Sequence, residues 1–98
     1  MPEKEWKYAS VDLSTDITTI EAVPCLVKGA IVTTALSAHA CPVKDSTTTV
    51  WAFPASAQIG DSIDGTDNGV RFETSLIVDP DDSATGNITI TYRRLMEN

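Results

Sequence analysis

The sequence predicts an all-β domain: a small antiparallel β-sandwich of jelly-roll-like type with an N-terminal arm. Three observations carry that prediction. No segment sustains a 3.6-residue apolar period. Short β-prone runs follow one another, separated by Gly, Pro, Asn and Asp turn residues. The run from Asn87 to Arg93 alternates cleanly, with Ile88, Ile90 and Tyr92 on one face and Asn87, Thr89, Thr91 and Arg93 on the other. A chain of 98 residues has room for one core. Residues 1–13 are expected to form an arm or edge strand, and residues 14–98 a single sandwich domain.

Each element has its own reason. Trp6, Tyr8 and Ser10 share one face of an extended segment, and Val11 and Leu13 share the other. Thr18 to Ala22 is a β-prone run stopped by Pro24, which cannot donate to a ladder. Cys25 to Ala35 is the most apolar stretch. Its β-branched content favours a strand, and Gly29 in its middle signals a bulge or bend. Ala35 to Ala40 is too short for a helix and reads as a loop. Thr47 to Phe53 is a strand with Thr49, Trp51 and Phe53 on one face, ended by Pro54. Ala55 to Gly69 is irregular and polar, rich in Asp, Asn and Gly. Val70 to Phe72 and Ser75 to Val78 are two short strand pieces, and Asp79-Pro80-Asp81-Asp82 is a turn before the closing strand.

Charge narrows the function. Fourteen acids against seven bases give a net charge of −7. That balance disfavours binding to nucleic acid or to an anionic membrane, either of which wants a basic face. Arg93-Arg94, the one cluster of bases, reads as a solvated edge. Met1-Pro2-Glu3-Lys4-Glu5 is charged and has no apolar segment behind it, and no run approaches a membrane span. The expectation is folding in a reducing cytoplasm, with Cys25 and Cys41 as free buried thiols; a disulfide between them is the alternative.

The chemical motifs are weak. His39 and Cys41 lie at i and i+2, a spacing that suits a thiol–imidazole pair, but no nucleophile-elbow signature surrounds them. Cys25, His39 and Cys41, with Asp45 outside them, match no common zinc spacing. Asp64, Thr66, Asn68 and Gly69 imitate the start of a calcium loop. Ser75, however, stands where the bidentate glutamate is required. Asp79, Asp81 and Asp82 are a second acidic cluster, better explained by turn chemistry. Nothing singles out two carboxylates for glycoside hydrolysis. Trp51 reads as core or subunit interface, with a sugar-stacking platform as the rival. Asn87-Ile88-Thr89 is an incidental sequon inside a strand. The sequence therefore points to no catalytic residue, no cofactor and no metal.

Three stretches resemble a known group. "CLVKGAIVTT" resembles an opening strand, and "TTTVWAF" a central strand, of small β-sandwich structural proteins of tailed-phage virions, of the capsid decoration (cement) or head-fibre type. "GVRFETSLIVDPDDSATGNITITYRR" resembles their closing segment. The likeness runs from about Leu26 to Arg94. Ser56 to Gly69 and the N-terminal "PEKEWKYASVDL" depart from the pattern. The resemblance implies a homotrimer without an active site. It would sit on the capsid surface, assemble in the host cytoplasm, bind the major capsid protein and hold neighbouring capsomers together. It implies neither a nucleic-acid partner nor a membrane. Trimerisation would also cover surface that a lone sandwich of this size leaves wet. Trp6 and Tyr8, two large aromatics in a charged terminus, are the residues expected to contact shell or neighbouring subunit. The rival readings are a head-fibre, tail or adaptor component and, from another class, a glycan-binding β-sandwich module.

Overall fold

Alternation decides which side chains meet, and the strands of the computed structural model follow it. The model describes residues 6–15, 17–65 and 69–95. Among them are nine strands and no helix: β1 (Lys7–Asp12), β2 (Thr18–Glu21), β3 (Cys25–Thr34), β4 (Cys41–Asp45), β5 (Thr48–Phe53), β6 (Ser62–Asp64), β7 (Val70–Phe72), β8 (Leu76–Val78) and β9 (Asn87–Arg94). One sheet runs β1-β9-β3-β6, with β7 also on β3. The other runs β2-β8-β4-β5. Every pairing is antiparallel.

The pairing order shows how the chain is wound. β1 pairs with β9, β2 with β8, β3 with β6 and β7, and β4 with β5. The chain is thus one long hairpin whose tip is β4–β5, wrapped so that successive strand pairs fall in alternate sheets. Contacts of β3 with β9 and β4 with β8 complete the sheets. This is the jelly-roll order.

The core lies between the sheets. Val11, Cys25, Val27, Val32, Phe72, Ile88 and Ile90 enter from one side, and Cys41, Val43, Phe53, Leu76 and Val78 from the other; all are buried. Each large apolar side chain among them contributes about 1.5–3 kcal/mol by leaving water. Tyr8 and Ser10 are exposed while Val11 and Leu13 are buried, as the alternation of the first strand predicts. β1 is an edge strand of the first sheet rather than a loose arm.

Gly29 sits in the predicted irregularity. The β3–β9 register slips between Val27 and Gly29, so Lys28 is the extra residue. A Cβ on Gly29 would lie 2.7 Å from the Ile63 carbonyl oxygen, so glycine lets β6 approach β3.

Two strands depart from the sequence reading. β4 lies in a stretch that the sequence reading assigns to no element, and it contains Pro42, which has no N–H to give a ladder. Asp79 N–H donates to the Pro42 carbonyl at 3.1 Å, so the missing Pro42 N–H also faces β8. There the β4–β8 pairing begins only at Val43, and the proline costs little. β6 lies inside the segment read as irregular; only three residues long, with Ile63 its one apolar side chain, it is too short to show a period. The two pieces flanking Glu73-Thr74 are both strands, β7 and β8, but they belong to opposite sheets.

Candidate binding face

The expected contact residues lie on the outer face of the β1-β9-β3-β6 sheet. Tyr8, Thr91, Gly29 and Asp64 form one row straight across its four strands, and Ser10, Thr89, Ile31 and Ser62 form the next. Tyr8 is 75% exposed and Ile31 42%. Over Lys28, Gly29, Ile31, Asp64, Thr89 and Thr91 the face sinks into an open groove of about 290 Å³. Its middle is low because Gly29 contributes no side chain.

Trp6 lies at the end of this face, half-buried. The Lys28 ammonium is 5.4 Å from its ring centroid and the Arg93 guanidinium carbon 5.0 Å. Both distances suit cation–π attraction. Alternation from buried Val27 aims Lys28 outward, and Gly69 completes the seat: at φ +91°, a Cβ there would sit 3.2 Å from Trp6 Cη2 and from Leu26 Cβ. Arg93 therefore does more than line an edge. Its Nε is buried without a hydrogen-bond partner among the described residues.

The cation inventory singles out this corner. Arg71 pairs with Glu73 at 2.7 Å, Lys44 with Asp79 at 2.8 Å and Arg94 with Glu21 at 2.8 Å. Lys28 and Arg93 have no carboxylate partner among the described residues.

The other candidates are dispersed. Cys25 and Cys41 are free thiols, both fully buried, in opposite sheets. Burial pushes both up to about 11, and at Cys25 the nearby Glu21 carboxylate adds to the effect. A protonated thiol shielded from solvent is a poor nucleophile, so Cys41 and His39 do not form a reactive pair. His39 instead makes a 3.0 Å contact through Nδ1 with Ser37 Oγ, and its Nε2 stands 3.9 Å from Asp81 Oδ1. Ser37 Oγ also accepts the Thr85 N–H at 3.0 Å, and 3.9 Å is too long for a hydrogen bond by which Asp81 would orient the imidazole.

The acids serve turns. Asp45 accepts backbone N–H groups of Glu73, Thr74 and Ser75 at 2.8, 2.9 and 3.3 Å, so it is not offered to a metal. Burial raises its carboxyl; the three bonds outweigh that and hold it below the usual range. Asp79 pairs with Lys44, and Asp81 accepts the Ser83 N–H at 2.9 Å. No three His, Cys, Asp or Glu side chains converge among the described residues. Thr66, Asp67 and Asn68 of the calcium-like loop lie outside the described residues. Ser75 is buried, and its Oγ accepts the Ser46 N–H. Trp51 packs edge-on against Phe72, centroids 5.7 Å apart, and is half-buried. It packs against the margin of the core.

No protein-family model, curated protein or solved structure matches the chain.

Proposed function

We propose that this chain is a phage virion structural protein, a capsid decoration (cement) subunit that binds the shell as a homotrimer and stabilises it. The observation that carries this reading is the outer face of the β1-β9-β3-β6 sheet. There an acidic chain gathers Trp6, Tyr8, Ile31, Lys28 and Arg93 on one face of the sheet. Aromatic and arginine side chains are enriched among the anchors of protein interfaces. Jelly rolls serve many functions, capsid and lectin domains among them, so the fold supports the reading without deciding it. The resemblance of Leu26 to Arg94 to virion domains points the same way.

The test compares phage shells assembled with and without the protein. Shells lacking it should remain intact but lose their contents at a lower temperature; equal heat resistance refutes the cement role. Tyr8→Ser should lower shell occupancy without changing the melting of the isolated protein, because the ring is mostly in water. Sedimentation of the purified chain reports the trimer.

A second reading, a glycan-binding module, draws on the groove over Gly29, whose own row places Tyr8 beside Thr91. A glycan array probed with the oligomeric protein decides it.

A further inference from the structure

The unmatched cations say what the face is built to meet. In a chain with twice as many acids as bases, a base is easily neutralised from within. Arg71, Lys44 and Arg94 each are. Lys28 and Arg93 are not: the Lys28 ammonium stands 5.4 Å and the Arg93 guanidinium carbon 5.0 Å from the centroid of one indole ring, and neither has a described carboxylate partner. Two like charges held at one ring repel, and the ring quadrupole offsets only part of that. The arrangement is satisfied by an anion from outside. Lys28 also lines the groove over Gly29, so the cationic corner and the groove are continuous.

We infer that this face takes a carboxylate-bearing segment of a protein partner. Its Asp or Glu meets the Lys28 and Arg93 charges beside Trp6, and the adjoining side chain enters the groove over Gly29. A polyphosphate or nucleic acid is the poorer fit, because a chain of −7 repels a long polyanion while tolerating one carboxylate on a mixed surface. The inference rests on the reading of this face as the docking face and names what it docks on.

Two measurements separate the inference from its premise. The first titrates shells lacking the protein with wild type, Lys28→Glu and Lys44→Gln. Lys44 lies in the opposite sheet, so its variant should bind as wild type does. Lys28→Glu should weaken binding by about tenfold or more, with added salt narrowing the gap. Equal binding of Lys28→Glu and wild type overturns the inference and leaves the cement reading standing. Wild type that fails to bind shells overturns the cement reading. The second needs no shell. A short, otherwise neutral peptide bearing one glutamate, added to the ¹⁵N-labelled protein, should shift the Trp6 indole and Arg93 Nε signals while the Trp51 indole stays put, and Lys28→Glu should abolish the shift. No shift in the wild type, or a shift with heparin oligosaccharide and none with the glutamate peptide, overturns the carboxylate partner.

Discussion

Arg94 Nε donates to Glu21 Oε1 at 2.8 Å, and the Tyr92 hydroxyl donates to the other carboxylate oxygen at 3.1 Å. One carboxylate thus pins β2 of one sheet to β9 of the other. Its side chain is only 10% exposed, unlike the Arg71–Glu73 pair, whose side chains are both more than 60% exposed. Glu21→Ala should cost about 1–2 kcal/mol and lower the melting temperature by roughly 5–10 °C. Arg71→Ala should cost under about 0.5 kcal/mol. Thermal melts of the two variants compare them directly, and equal losses would show that the cross-sheet pin carries no special weight.

Gly86 precedes the closing strand at φ +114°, in a tight place. A Cβ there would lie 2.7 Å from the Ala35 carbonyl oxygen and 2.8 Å from Leu36 Cδ2. Its own carbonyl accepts the Leu13 N–H at 2.9 Å. Gly60 has φ +93° but nothing within 4 Å of such a Cβ. Gly60→Ala should therefore cost only the backbone strain, about 1 kcal/mol, whereas Gly86→Ala adds a clash with backbone and should cost about 3 kcal/mol or more. Urea midpoints measure both. Similar values would mean that the loop at Ala35–Leu36 moves freely aside.

The contrast between the two glycines bears on what can be read from residues alone. Both lie in turn-like surroundings, and only the approach of a distant loop distinguishes them. The same limit applies elsewhere. β9 and most of β3 are legible because alternation and β-branching are local properties, and Gly29 betrays its bulge because a glycine inside an apolar strand has few other uses. β5 is legible as a strand, but its register against β4 slips at Val50, so Val50 and Trp51 both pack against the core and the expected alternation fails there. β4 is not legible, since the cost of Pro42 depends on where β8 stops pairing. Trp6 and Tyr8 stand out as aromatics in a charged terminus. The link of Trp6 to Lys28 and Arg93 depends on β3 and β9 lying side by side, and no pattern along the chain announces that pairing.

Asp45 ties the β4–β5 turn to the crossing from β7 to β8 by accepting three successive N–H groups. Asp45→Ala should cost about 1–2 kcal/mol, because those amides must then find water. The carboxyl is lowered when folded, as is that of Asp12, where the Ser14 hydroxyl and backbone N–H both donate. A lowered folded pKa means that the unfolded chain binds more protons on acidification. The stability is present above the unfolded value near 3.8 and is lost as pH falls through the folded value. Urea melts from pH 6 to 2 should show a steeper acid limb for wild type than for Asp45→Asn. Parallel limbs would remove Asp45 as a cause.

The alkaline limb belongs to the buried thiols. Cys25 and Cys41 are fully buried, and each is raised from 9.0 to about 11, in both cases chiefly by burial. A raised folded pKa reverses the sign. The stability is whole below pH 9, where the unfolded thiol begins to ionise, and drains away as pH climbs through about 11. Tyr92 adds to the same limb above pH 10, being raised by burial and by its bond to Glu21. The urea midpoint should therefore hold to about pH 9 and then fall, less steeply in a Cys25→Ala, Cys41→Ala double variant. At pH 8 an aromatic disulfide reagent should label the folded protein only as fast as it unfolds, and both thiols at once in urea. Rapid labelling of either cysteine without denaturant would mean that its end of the sandwich opens locally.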